Sequence, residues 1–196
     1  DGDGRALDSL SDAEIVAAGE RVESEMRQLH PGADRITDKG VQTYHLIGPI
    51  RMALPRARFV IVERDPRDTL LSMYRNLFED GRHLYSYSLH DLGRLYRLFR
   101  ETVAFWEEKL PGVAHVIRYE DLLDDPERET RKLLAHCDLE WEDACLSFHE
   151  NRRRVDTLSL AQVRQPLYRS SVKAWQRYED ELGELFEALG DALPED

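Results

Sequence analysis

Apolar residues along this chain recur at two spacings, and the alternation between them marks its elements. Ser11-Asp-Ala-Glu14 fits a capping box, and Ile15, Val22, Met26 and Leu29 follow at helical spacing as far as His30-Pro31-Gly32. Residues 35–38 read as a short strand running into a loop. Residues 43–54 read as a helix in which Pro49 forces a late start or a kink. Phe59-Val60-Ile61-Val62 is a continuous apolar run of strand length, the pattern of a strand buried on both faces. Asp65-Pro66 then supplies an N-cap and a first-turn proline, and Leu70, Leu71, Tyr74 and Phe78 carry a helix onward. Leu92, Leu95, Tyr96, Phe99, Val103 and Trp106 form the core stripe of a long amphipathic helix over 89–110, stopped by Pro111-Gly112. A third strand is expected over 115–118. A helical turn then leads to Asp125-Pro126, which caps a helix to Cys137. Residues 141–148 make a further helix or turn, and Val172 to Leu189 a closing helical segment. The order predicts an α/β fold: a short parallel sheet from 35–38, 58–62 and 115–118, sandwiched by helices.

Composition narrows the class. A chain of 196 residues is long enough for one domain with a sizeable core. No apolar run approaches the roughly 18 residues a membrane span requires. A net charge of −12 argues against nucleic acid or an anionic membrane as partner. Cys137 and Cys145 are too few for a disulfide framework and lack metal spacing, so a reducing, cytoplasmic setting is the expectation. The chain opens Asp1-Gly-Asp-Gly with no initiator methionine, which reads as a fragment.

Local basic clusters stand out against the acidic whole. A strand feeding directly into a helix places Arg64 at the carboxyl end of a sheet, where open α/β folds bind ligands. Ser72 and Arg75, three apart, share a helix face. Arg64, Ser72 and Arg75 can therefore converge on one anion, two guanidinium forks and a hydroxyl matching phosphate geometry. The alternative is that Arg64 pairs with Asp68 while Ser72 and Arg75 are ordinary surface residues. Lys39, at a strand end, is on residue type alone an exposed lysine, and Tyr119 a packed aromatic at a sheet edge. The polar-aromatic stretch 79–88 either shapes an acceptor site or packs over the core. Residues 151–170 lack periodicity, and loops of that length are functional or disordered. Arg152, Arg154, Ser159, Gln162, Arg164, Tyr168, Arg169 and Ser170 favour a functional loop. His136, His149 and Glu150 are not at zinc spacing, so no metal is expected.

The run Arg64-Asp-Pro-Arg-Asp-Thr-Leu-Leu-Ser72-Met-Tyr-Arg75 resembles the 3′-phosphate-binding segment of sulfotransferases that use 3′-phosphoadenosine 5′-phosphosulfate. Arg35-Ile-Thr-Asp-Lys39, Leu110-Pro-Gly112, Arg118-Tyr-Glu-Asp-Leu122, Phe148-His-Glu-Asn151 and the stretch from Gln162 to Trp175 recur in the same order. The resemblance covers about residues 35–190 and is nearest to bacterial relatives of tyrosylprotein sulfotransferases, which often carry tetratricopeptide repeats. It implies a P-loop-type three-layer α/β/α fold and transfer of a sulfonate to a hydroxyl, with no metal. Arg64 and Ser72, with Arg75, would hold the 3′-phosphate and Tyr119 would lie near the adenine. Lys39 would approach the transferring sulfuryl group, offsetting charge on the bridging oxygen. Ser159 would lie near the phosphosulfate, and Arg164, Arg169 and Ser170 would complete the 3′-phosphate site.

The sequence departs from the family in three places. Gly40-Val41 follows Lys39 where the family pattern continues Lys-x-Pro, a lysine near Gln165 is absent, and no glycine-rich phosphosulfate loop or general base beyond it occurs. The chain thus reads as the carboxyl two-thirds of a catalytic domain, inactive alone. Another P-loop transferase such as a small-molecule kinase, and a non-catalytic interaction domain, are the competing readings. The acceptor, whether peptide, carbohydrate, lipid or small alcohol, is not written in the sequence.

Overall fold

A computed structural model describes residues 9–78, 81, 83–151, 167 and 169–194. It is mixed α/β: helices accompany a short two-stranded parallel sheet, the class expected from the sequence. The chain divides into two compact units, residues 1–59 with 101–113, and residues 60–100 with 114–196.

In the first unit, helix α1 (Asp12–Leu29) starts on the expected capping box. Ser11 N–H donates to Glu14 Oε2 at 2.8 Å, and Glu14 N–H donates back to Ser11 Oγ at 3.4 Å. Residues 43–46 form a 3₁₀ turn that leads into α2 (Ile47–Ala53), so Pro49 sits in the first turn and its effect is a late start. Helices α1 and α2 meet at Gly19, where an added Cβ would lie 1.9 Å from the Ala53 carbonyl oxygen. Alanine for glycine in a helix normally gains about 1 kcal/mol. Here the obstacle is backbone, which cannot rotate away, and overpacking costs roughly 1–3 kcal/mol. Gly19→Ala is therefore expected to lower stability by up to about 2 kcal/mol, or up to about 8 °C in melting temperature for a chain of this size. A thermal melt followed by circular dichroism checks it; an unchanged or raised midpoint would mean the helices separate freely at this point. The second close approach is Gly48 against the Trp106 ring, whose Nε1–H donates to the Tyr44 carbonyl at 2.8 Å.

Residues 35–40 carry no strand, contrary to the expectation for 35–38. Ile36 is the single large apolar side chain in that run, too little to anchor a strand. The sheet consists of β1 (Phe59–Glu63) and β2 (Ala114–Arg118), paired side by side. Strand β1 is not buried on both faces as its composition suggests. Phe59 and Ile61 are buried, whereas Val60 and Val62 are 39% and 66% exposed. Side chains alternate across a strand, so cover on one face alone produces this pattern whatever the residues are.

In the second unit, α3 (Pro66–Tyr74) begins where Asp65-Pro66 places it, with the Asp65 carboxylate accepting from Arg67 N–H at 2.8 Å. It stops at Tyr74 rather than running on to Phe78, because the Asn76 side-chain amide takes the Ser72 carbonyl at 2.7 Å and closes the last turn. The core gathers Leu70, Leu71, Leu92, Trp175, Leu182, Leu185 and Leu189. Helix α4 (Leu89–Lys109) contributes Leu92 and brings Gly93 directly onto Ala188. After β2 come α5 (Tyr119–Asp124), α6 (Pro126–His136) and a 3₁₀ stretch over Asp143–Glu150. The closing segment is a kinked 3₁₀ stretch (Ala174–Glu181) and α7 (Gly183–Leu189).

His115 of β2 and His136 of α6 stack with ring centroids 5.6 Å apart, and each has a buried Nε2 without a hydrogen-bond partner among the described residues. Burial, and then the neighbouring His136, hold the His115 pKa below its usual 6.5, against a smaller upward pull from Glu129. The unfolded chain therefore takes up a proton first as pH falls. Stability from His115 is complete above about pH 6.5 and is lost as pH drops through its lower folded value. The urea midpoint is expected to fall between pH 7.5 and 5.5, and to fall less in a His115→Gln variant. Equal slopes in both proteins would assign the pH dependence to other groups.

Candidate functional site

The end of β1 sends three consecutive charged side chains in three directions. Glu63 pairs with Arg100 of α4 at 2.8 Å, and Asp65 caps α3. Between them Arg64 turns toward Asp68 and the closing segment. Its Nη2 lies 3.4 Å from Asp68 Oδ2 and donates to the Ser171 carbonyl, and its guanidinium sits over the Tyr119 ring at 5.5 Å. Arg64 Nε is buried and has no hydrogen-bond partner among the described residues. Glu63 has a further effect: burial, reinforced by that carboxylate, raises the pKa of the Tyr96 phenol on α4.

Asp68 is 3% exposed, and both of its carboxylate oxygens are hydrogen-bonded. Oδ2 accepts from Lys173 N–H at 2.8 Å and Oδ1 from Trp175 N–H at 3.0 Å. Lys173 has φ of 56°, the left-handed conformation that turns successive N–H groups toward one acceptor. Arg67, 5% exposed, bonds Asp65 at 2.9 Å and lies 4.0 Å from the Trp175 ring centroid. Glu120 joins α5 to the same place, its Oε1 accepting from Asp65 N–H at 2.9 Å. One basic side chain is thus held at a strand-to-helix junction by groups from α3, α5 and the backbone that leads into the closing segment.

The residues singled out in the sequence distribute unevenly about this junction. Arg64 and Tyr119 meet there, and Ser170 is the exposed neighbour of the Ser171 that holds Arg64. Ser72 is exposed on α3. Arg75 caps the far end of that helix with its guanidinium 5.3 Å from the Tyr178 ring, and no contact joins either to Arg64. Arg169 closes the C-terminus of α5, reaching the Leu123 carbonyl at 2.9 Å and Asp124 at 2.6 Å. Lys39 is exposed in the irregular stretch of the first unit. Ser159 and Arg164 lie outside the described residues. Among the described residues no group of three or more histidine, cysteine or acidic side chains is arranged to hold a metal ion, and no helix is long and apolar enough to cross a membrane.

Sequence reasoning found the Arg64–Asp68 spacing but not what else Asp68 does. The i, i+4 relation is visible in any helix, whereas Lys173 and Trp175 lie 105 and 107 residues away. Arg67 likewise carries no sign in the sequence that its partner is an indole.

An uncharacterized protein of Aquifex aeolicus (strain VF5) is 33% identical over 162 residues, covering 82% of this chain and 21% of its own length. The chain therefore spans about a fifth of that relative. The model of the sulfotransferase family matches residues 7–143, a stretch that contains Lys39, the whole β1–α3 junction and Tyr119. With most of its length matched, the chain belongs to the sulfotransferase family.

Proposed function

We propose that the protein of which this chain is part transfers a sulfonate group from 3′-phosphoadenosine 5′-phosphosulfate to a hydroxyl acceptor. The observation that carries this reading is the state of Arg64. Two of its neighbours fix Nη2, and the Tyr119 ring lies 5.5 Å from the guanidinium carbon, while the buried Nε–H has no partner among the described residues. An unpaired buried donor costs roughly 1–3 kcal/mol, which an anion arriving at that edge recovers. A phosphate oxygen meets the requirement, because a pre-oriented guanidinium loses little freedom per hydrogen bond formed.

In this reading Arg64 anchors the 3′-phosphate, with Ser72, Arg75, Arg164 and Ser170 as further contributors. Arg169 joins them once it leaves Asp124. Tyr119 supports the adenine. Lys39 supplies positive charge near the oxygen that leaves the sulfonate, and Ser159 lies beside it. Catalysis of such an in-line transfer rests on positioning and on charge stabilisation, as it does for phosphoryl transfer. The order of motifs, which resembles that of bacterial relatives of tyrosylprotein sulfotransferases, supports this reading.

Calorimetric titration of the full-length protein with adenosine 3′,5′-bisphosphate, beside ATP with magnesium, tests the donor. Selective binding of the bisphosphate is expected. A preference for ATP would point instead to a phosphoryl-transferring enzyme, and binding of neither to an interaction domain.

A further inference from the structure

We infer that Asp68 is the positioning residue of the nucleotide site, a buried carboxylate that aims Arg64 by tying it to the backbone of the closing segment. This deepens the sulfotransferase reading and rests on it. The contacts form a closed circuit. Arg64 Nη2 reaches both Asp68 Oδ2 and the Ser171 carbonyl. Asp68 in turn takes the N–H groups of Lys173 and Trp175, two and four residues beyond that carbonyl. Each link fixes the next: Asp68 seats the left-handed turn at Lys173, the turn presents the Ser171 carbonyl, and carbonyl and carboxylate together hold Nη2.

Geometry then decides which face of the guanidinium is offered. Nη2 is taken, and Nε, which shares that edge of the guanidinium, has no hydrogen-bond partner among the described residues. Loss of the carboxylate charge would leave the guanidinium free to rotate, and orientation of this kind is what bidentate recognition requires. Asp68 itself is 3% exposed and each of its oxygens accepts from a backbone N–H, so it acts through Arg64 and not on the ligand. Arg67, stacked on Trp175 at 4.0 Å, secures the same segment from the next position of α3.

The test compares two nucleotides that differ only in the 3′-phosphate, adenosine 3′,5′-bisphosphate and adenosine 5′-monophosphate, in the full-length protein. Asp68→Asn keeps the shape and one carbonyl-type acceptor but removes the charge. It is expected to cut the bisphosphate affinity at least tenfold while leaving monophosphate affinity within about twofold, the loss of orientation being felt only where Arg64 acts. A merely structural defect would weaken both ligands together. Combining Asp68→Asn with Arg64→Ala is expected to add less than twofold to the effect of Arg64→Ala alone, since coupled residues are non-additive. Because a buried carboxylate can be needed for folding, a second measurement uses the unaltered protein. Amide exchange at Lys173 and Trp175 is expected to slow on addition of the bisphosphate and not of the monophosphate. Equal loss of both ligands in Asp68→Asn, full additivity, or unchanged exchange at these two amides would overturn the assignment of Asp68. If the unaltered protein fails to distinguish the two nucleotides, it is the sulfotransferase nucleotide site that falls, and Asp68 falls with it.

Discussion

Replacing Arg64 by alanine is expected to lower the affinity for adenosine 3′,5′-bisphosphate by roughly 30- to 900-fold, about 2–4 kcal/mol, the range for truncating one member of a buried charged hydrogen-bonded pair. The magnitude follows from what the guanidinium meets. It is 25% exposed, so bulk solvent screens it only in part, and two protein groups already fix its orientation. An anion bound there does not have to order a free arginine. The folded state should survive the change. Asp68 keeps its two backbone donors, at 2.8 and 3.0 Å, so the carboxylate is not left unpaired, and the melting temperature is expected to move by only a few degrees. Arg64→Lys separates charge from geometry. A lysine retains the positive charge but has no planar fork to bridge Ser171, Asp68 and a phosphate at once, so it should recover a minority of the lost affinity. Calorimetry on the three proteins reads the effect. Undiminished binding by Arg64→Ala would move the phosphate away from the β1–α3 junction altogether.

How much of this junction was legible in the sequence depends on how local each contact is. Asp65-Pro66 announced the start of α3 because capping involves a residue and the amide two positions on, 2.8 Å away. The capping box at Ser11 and Glu14 was readable for the same reason. The end of α3 was not. Tyr74 and Phe78 keep a helical period, but Asn76 competes for the Ser72 carbonyl with its own side chain, and periodicity carries no record of that. Strand β1 was recognised from its β-branched run, yet its composition suggested cover on two faces where Val60 and Val62 are exposed, because burial is a property of neighbours. Arg64 was singled out as a ligand-binding candidate, and its pairing with Asp68 was the alternative weighed against that. The structure contains the pairing: Asp68 lies against Nη2, and Nε has no partner among the described residues. The partners that make this so, Ser171, Lys173 and Trp175, are more than a hundred residues away, beyond the reach of any local rule.

Trp175 carries the largest expected effect on stability. It is 2% exposed within the leucine core of the second unit, its ring stands edge-on to Phe186 at 5.7 Å, and Arg67 covers it at 4.0 Å. Trp175→Ala is expected to cost roughly 3–5 kcal/mol, the range for emptying a buried aromatic site, and to lower the melting temperature by about 6–20 °C. Arg67 adds to the damage. It is 5% exposed and would retain Asp65 at 2.9 Å but lose the aromatic face that compensates its burial. The phenylalanine variant discriminates between the sources of this loss. Trp175 Nε1 is itself buried without a hydrogen-bond partner among the described residues, a burden of roughly 1–3 kcal/mol that phenylalanine does not carry. The smaller ring gives up contact area, worth about 1 kcal/mol at the usual coefficient for apolar surface. The two changes oppose each other, so Trp175→Phe should lie within about 1 kcal/mol of the unaltered protein while Trp175→Ala lies far below it. Paired urea titrations measure both. If phenylalanine proved as costly as alanine, the indole would be making a specific contact that shape and cation–π attraction do not supply. The anchor of the closing segment would then be the ring nitrogen instead of the ring.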